Sequence, residues 1–148
     1  MKIRMFAAVS IATAATTLPL AATAHADVLA GFQSPSGDIG CSMRIGSDGK
    51  GGVTCEVRGH TWVIVAPTPN CGSASGDWEF DLAQGNPPAR GYSCAAGSLV
   101  DPGLQTLNYG QTRSMDTITC DSEPSGITCT DSSTGHFFFV SRDSYRLG

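Results

Sequence analysis

The sequence predicts an all-β protein: a small, disulfide-linked β-sandwich or barrel of about seven to nine short antiparallel strands. Three observations carry that expectation. Six cysteines and 18 glycines in 148 residues describe a cross-linked chain rich in turns. Apolar and polar residues alternate in several short runs bounded by Gly, Pro, Asn or Ser. No stretch after the first 26 residues keeps a helical apolar period over about 12 positions without Gly or Pro. Charged residues make up only 15% of the chain, too few for a coiled coil or a charged disordered tail.

Residues 1–26 read as a cleaved secretory signal peptide. Lys2 and Arg4 form a short basic start, an uncharged stretch follows from Met5 to Leu20, and Ala24-His25-Ala26 supplies an A-x-A cleavage site before Asp27. A membrane anchor needs about 20 predominantly apolar residues, and this Thr-rich stretch is broken by Pro19. Cleavage between Ala26 and Asp27 leaves residues 27–148 as a single domain with no further span. The first cysteine is Cys41, so no lipid-bearing cysteine lies at that cleavage site, and a lipoprotein is not expected. Removing Lys2 and Arg4 takes the basic residues from nine to seven against 13 acidic ones, and the net charge from −4 to −6. Nucleic acid is therefore not an expected partner.

An even number of cysteines in an exported chain reads as a disulfide framework, here Cys41, Cys55, Cys71, Cys94, Cys120 and Cys129. A zinc site would need closely spaced Cys or His pairs, which this sequence lacks, so neither a metal nor another cofactor is expected. Ile39, Cys41, Met43 and Ile45 alternate with polar or small residues, as do Val53, Cys55 and Val57. Reflection about Asp48 in the turn Ser47-Asp48-Gly49 sets Cys41 against Cys55, Met43 against Val53 and Ile39 against Val57. Farther on, Glu123-Pro124-Ser125-Gly126 is a β-turn with Pro second and Gly fourth. Folding about it sets Cys120 opposite Cys129 as a non-hydrogen-bonded pair, with Cα atoms about 4.5 Å apart. Cys71 and Cys94 remain for each other by elimination. The risk in this pairing is two similar hairpins packing face to face, which would allow Cys41–Cys129 or Cys55–Cys120 instead.

Between these hairpins the expected strands are 61–65, 78–82, 91–94 and 106–109, with 136–141 after them. Residues 66–77 and 84–90 read as Pro-containing loops, and a single helical turn is expected within 102–105. Val53-Thr54-Cys55, Ile118-Thr119-Cys120 and Ile127-Thr128-Cys129 repeat one pattern. We read the repeat as similar turn-then-strand chemistry rather than as duplicated hairpins.

No catalytic residue stands out. His60 and His136 are the only histidines after the signal segment, no G-x-S-x-G elbow is present, and both histidines read as turn or strand-start residues. Glu79 and Asp81 alternate with Trp78, Phe80 and Leu82, which places both carboxylates on the solvent side of one strand rather than across a cleft. Trp62, Trp78 and Phe137-Phe138-Phe139 read as core aromatics rather than a ligand platform. The expected function is thus an exported, non-catalytic interaction module, monomeric and soluble, in the cell envelope or outside the cell. Its ligand is not legible; the partner is a protein or an envelope component. Two alternatives stand beside it. One is a small secreted hydrolase using His136 with a Ser and an Asp. The other is a secreted inhibitor or carbohydrate binder, which calls for a rigid protruding loop, for example in 66–77, or an exposed aromatic platform.

The run Phe32-Gln33-Ser34-Pro35-Ser36-Gly37-Asp38-Ile39-Gly40-Cys41 resembles the opening of a domain-of-unknown-function family of small exported mycobacterial and actinobacterial proteins. Further marks of that family are Gly52-Val53-Thr54-Cys55, Leu107-Asn108-Tyr109-Gly110, Cys120, Gly126-Ile127-Thr128-Cys129, and Thr134-Gly135-His136 leading to Ser141-Arg142 and Tyr145. The resemblance covers roughly residues 32–147. Asp38 stands where the family pattern has Asn, and Phe137 where a glycine often follows the histidine; neither touches the cysteines. The resemblance implies an exported β-rich domain and supplies no catalytic residue.

Overall fold

The structure is a computed structural model, and it describes residues 28–72, 76–94 and 97–148. The expected signal segment and its cleavage site at Ala26 and Asp27 lie outside the described residues. Among the described residues, ten strands form two antiparallel meanders. The first comprises β1 (Val28–Gln33), β2 (Ile39–Ile45), β3 (Gly51–Val57), β4 (Asp77–Ala83) and β5 (Ala89–Ser93), paired in chain order. The second comprises β6 (Thr112–Met115), β7 (Ile118–Glu123), β8 (Gly126–Asp131), β9 (Phe137–Val140) and β10 (Tyr145–Leu147), also in chain order. The two sheets stack with β2 over β6, β3 over β7, and β4 over β8 and β9. The result is an all-β sandwich.

Register follows from the alternation of side chains. Cys41 opposes Cys55, with Met43 opposite Val53 and Ile39 opposite Val57, which puts one apolar row on the inner face. In the second sheet Cys120 opposes Cys129, closed by the pair Glu123 and Gly126. Gly126 completes that turn at φ 147°, a backbone conformation that side-chain-bearing residues rarely adopt. Disulfides join Cys41 to Cys55 and Cys120 to Cys129 across Cα separations of 4.1 and 4.0 Å, the close spacing of non-hydrogen-bonded pairs. The two hairpins do pack face to face, yet each bridge stays within its own hairpin. Bridging of directly opposed neighbours needs no backbone movement, whereas sheets stack about 10 Å apart. The third bridge joins Cys71 to Cys94.

The two meanders are equivalent strand by strand. Each carries its disulfide between its second and third strands, and the cysteine of each third strand faces a phenylalanine on the fourth, Phe80 in one and Phe138 in the other. Val53-Thr54-Cys55 and Ile127-Thr128-Cys129 occupy matching places on those third strands. The repeated triplet therefore marks equivalent positions in two equivalent sheets, which turn chemistry alone does not require. Between the sheets, Phe32, Met43, Phe80, Leu82, Ile118, Ile127, Phe138 and Val140 join both inner disulfides in one core. Each such side chain contributes about 1.5–3 kcal/mol by leaving water.

Several expectations need correction. The ten strands exceed the expected seven to nine because β1, β6 and β10 lie outside the runs whose pattern predicts a strand. All three are edge strands, short or rich in small and polar residues, and their pairing is decided by the neighbouring strand. Residues 61–65 form no strand: the Thr61 N–H bonds the Arg142 carbonyl, the Trp62 ring packs on Phe80 and Tyr145, and Val63 and Val65 stand exposed beyond them. Residues 106–109 contribute a single parallel bridge, Thr106 to Gln33, where the chain crosses from one sheet to the other. In place of a helical turn within 102–105, the Leu104 N–H closes a turn on the Asp101 carbonyl and Asp101 accepts the Gly103 N–H. Of the three consecutive phenylalanines only Phe138 faces the sandwich core. Phe139 lies under the Arg146 guanidinium on the other face, 4.8 Å from its ring centre, and Trp62 and Trp78 are half-buried.

Residues 97–104 form a strap over the outer face of the first sheet. Gly40 makes this approach feasible, because a Cβ there would stand 2.0 Å from the Leu99 carbonyl oxygen. All seven residues of β3 are buried; the strap covers outward-facing Glu56, while outward-facing Thr54 is bonded to Arg44 and Asp81.

Candidate functional site

Two regions of the surface carry unusual chemistry. The first is the segment 61–70, which leaves the sandwich after the turn at Arg58 and Gly59. Its beginning is fixed. The Thr61 N–H donates to the Arg142 carbonyl at 2.8 Å, and the Trp62 indole N–H donates to the Ser141 carbonyl at 2.9 Å. The Trp62 ring meets Phe80 and Tyr145 edge-on, and the His60 ring stacks on it with centroids 3.6 Å apart. Beyond this anchor the chain turns outward. Val63 is 81% exposed and Val65 98% exposed, with Ile64 half-buried between them. The Ala66 N–H returns to the Ile64 carbonyl at 3.1 Å, so Val65 is the apex of a three-residue turn. Pro67 and Pro69 then restrict the backbone, the Asn70 side chain accepts the Gly72 N–H, and Cys71 is bonded to Cys94 at the end of β5. The loop is thus uncharged, apolar at its tip, and braced at both ends.

The second region is an acidic cleft of about 150 Å3 on the outer face of the first sheet, lined by Glu56, Asp77, Glu79, Ser93 and Ser98. Glu56 on β3 stands directly opposite Glu79 on β4. Glu56 is only 3% exposed; it accepts hydrogen bonds from the Ser98 hydroxyl at 2.5 Å and the Leu99 N–H at 2.7 Å. Burial pushes the Glu79 carboxyl above its ordinary value; a hydrogen bond with Ser93 opposes the rise, and Asp81, Glu56 and Asp77 add to it. Beside it, Arg44 donates to the Thr54 hydroxyl, which donates to Asp81 at 2.6 Å. Glu79 and Asp81 are therefore not simply solvated, as the alternation alone suggested. They lie half-buried in a carboxylate row, with Glu56 as its buried member. The alternation around Cys55 does place Glu56 outward; only the strap over it accounts for its burial.

Neither histidine lines the acidic cleft. His60 serves as a stacking partner for Trp62, and its Nδ1 lies 3.0 Å from the Trp62 carbonyl. His136 sits in the β8–β9 turn, where its carbonyl accepts the Asp131 N–H and its own N–H donates to the Thr134 hydroxyl. Among the described residues, no serine hydroxyl or carboxylate is hydrogen-bonded to the His136 ring. Among the described residues, no group of three His, Cys, Asp or Glu side chains is arranged to hold a metal ion, and no helix is long and apolar enough to cross a membrane.

A family model described as a family of unknown function, DUF6636, matches residues 8–147. The chain belongs to DUF6636. The match reaches well ahead of the resemblance read from residue 32 and covers both meanders of this DUF6636 domain. No curated protein and no solved structure matches the chain. In this DUF6636 chain the described residues form a disulfide-linked sandwich that carries a braced apolar loop and an acidic cleft.

Proposed function

We propose that this protein is an exported, non-catalytic interaction module of the cell envelope or extracellular space, and that the loop 61–70 is its contact surface. The observation that carries this reading is the exposure of Val63 and Val65 on a loop braced by Trp62 at one end and by Cys71–Cys94 at the other. Leaving two β-branched apolar side chains in water gains the isolated domain nothing, whereas burying each against a partner is worth about 1.5–3 kcal/mol. Three disulfides support an oxidising compartment. The basic start, apolar stretch and A-x-A order support release of residues 1–26.

The test is fractionation followed by cross-linking. Intact-mass analysis should find a chain beginning at Asp27, lighter by six hydrogens than its reduced form, outside the cytoplasm. A photo-reactive residue in place of exposed Thr68 should give one discrete cross-linked species, and adding Val63→Asp and Val65→Asp to that protein should abolish it while keeping the thermal transition. An uncut, reduced chain confined to the cytosol overturns the export reading. A cross-link pattern indifferent to the double variant overturns the contact surface.

A further inference from the structure

We propose that the cleft between the β1–β2, β7–β8 and β9–β10 turns is a binding site for a neutral saccharide. The cleft is a different surface from the loop 61–70, and neither reading rests on the other.

The cleft holds about 190 Å3 at one end of the sandwich. The first sheet supplies Ser36 and Asp38 from the turn after β1. The second supplies Glu123 and Ser125 around the turn after β7, and Arg142 after β9. Tyr109 joins them from the segment that crosses between the sheets ahead of β6. The site therefore forms only where the two sheets stack.

Tyr109 indicates the class of ligand. Among the described residues it is the one tyrosine, tryptophan or phenylalanine left exposed, at 47%. Its backbone is fixed. The Gln111 N–H closes a β-turn on the Asn108 carbonyl at 3.0 Å, with Gly110 at φ 81° in the third position. The Gly110 N–H donates to the Ser122 carbonyl at 2.7 Å, and the Leu107 N–H donates to the Gln33 carbonyl at 2.9 Å. An aromatic face is negative and attracts polarised C–H bonds. A sugar ring carries such C–H bonds on its faces and hydroxyls around its rim.

The polar lining suits that rim. Serine hydroxyls donate and accept, carboxylates accept, and a guanidinium donates, so ligand hydroxyls find partners in either role. Several of these groups are held in place before a ligand arrives. The Ser34 hydroxyl accepts the Ile39 N–H at 3.2 Å and lies 3.0 Å from the Ser36 hydroxyl. The Ser125 hydroxyl donates to the Glu123 carboxylate at 3.2 Å. Arg142 Nε donates to the Gly59 carbonyl at 3.2 Å, and the same guanidinium lies 3.9 Å from the Asp38 carboxylate. Groups ordered in advance lose little freedom on binding.

Charge narrows the choice further. Asp38, Glu123 and Asp143 line the cleft against the single cation Arg142. Three carboxylates repel a phosphate or a uronic acid, and Arg142 in their midst works against a polyamine. An uncharged polyol meets neither penalty.

The experiment presents the purified protein, disulfides intact, to an array of neutral hexose and pentose oligosaccharides and of uronic-acid oligosaccharides. Titration calorimetry follows on the best binder, with inorganic phosphate and spermidine run alongside. The expected result is binding of one or more neutral oligosaccharides and none of the uronic acids, phosphate or spermidine. Tyr109→Ala should weaken that binding by about tenfold, through loss of the aromatic face. Asp38→Ala should weaken it by a similar factor, and both variants should keep the thermal transition of the wild type. Leu29→Asp, at an exposed apolar residue of β1 that does not line the cleft, should bind as the wild type does. Absence of binding to every neutral oligosaccharide at millimolar concentration overturns the proposal. Preference for a uronic acid, phosphate or spermidine overturns the choice of an uncharged ligand. Saccharide binding that Tyr109→Ala and Asp38→Ala leave unchanged overturns the assignment to this cleft. The cross-link from position 68 reads the loop separately, so either reading can fail while the other stands.

Discussion

Gly85, at the turn between β4 and β5 of the first sheet, donates its N–H to the carboxylate of Asp131 at 2.7 Å, across 46 residues of sequence. Asp131 ends β8 in the second sheet and is 0% exposed. Burial alone would raise its pKa. The hydrogen bonds from Gly85 and from the N–H and hydroxyl of Ser133 outweigh that and hold the carboxyl far below its ordinary value. The Thr134 hydroxyl bonds the same carboxylate. One buried charge thus fastens a turn of one sheet to the end of the other.

Asp131→Asn should cost about 2–4 kcal/mol at pH 7, because whichever way the amide turns, its N–H₂ faces a backbone N–H, of Gly85 or of Ser133, that can only donate. A depressed carboxyl contributes stability above its unfolded value of 3.8, and that contribution is lost as pH falls through the folded value. Urea unfolding at pH 7 should separate the two proteins clearly. Toward pH 2 the wild type should lose stability faster, and the gap should close. A constant gap from pH 7 to pH 2 would contradict an ionised Asp131.

Glu79 works in the opposite sense. Its carboxyl is raised, so ionisation penalises the folded state once the pH passes the unfolded value of 4.5. Glu79→Gln keeps an acceptor oxygen beside Ser93 and removes that penalty. The variant should be more stable by about 0.5 kcal/mol at pH 8 and equal to wild type near pH 3, measured as the shift in denaturation midpoint. A loss of stability at pH 8 would mean that the hydrogen bond with Ser93 outweighs the burial and repulsion.

Gly40→Ala should lift the strap. The new Cβ would collide with the Leu99 carbonyl and the Val100 Cα, both main-chain atoms with no rotamer to yield. The expected cost is about 1–3 kcal/mol, together with faster hydrogen exchange at the Leu99 N–H, which now bonds Glu56. Gly91→Ala is the control: nothing lies within 4 Å of its Cβ position, and its effect should stay within about 0.5 kcal/mol.

The disulfides should reduce in order of access. Cys71 and Cys94 are half-buried, whereas Cys41, Cys55, Cys120 and Cys129 are at most 1% exposed. Mild thiol treatment under native conditions, followed by alkylation and peptide mapping, should label Cys71 and Cys94 first, with both sheets intact by circular dichroism. Labelling of Cys120 or Cys129 at the same rate would place that bridge outside the core.

The sequence by itself determined the fold class and the two hairpins around Cys41–Cys55 and Cys120–Cys129. Both depend on local information: a turn whose residue types set its centre, and an alternation of period two that a slip of one residue would invert. It also determined that 61–70 is uncharged, apolar and proline-bearing, though not that the segment stands clear of both sheets. The tertiary structure alone decided the edge strands β1, β6 and β10, which are short or interrupted by small and charged residues and whose pairing is set by the neighbouring strand. It alone decided the strap that buries Glu56 and turns an ordinary outward carboxylate row into a cleft. And it alone decided Asp131, because the N–H of Gly85 reaches that carboxylate only when the two sheets stack. Periodicity reports which face of a strand a side chain takes. What comes to cover that face is settled by contacts between residues far apart in the chain, and alternation carries no record of those.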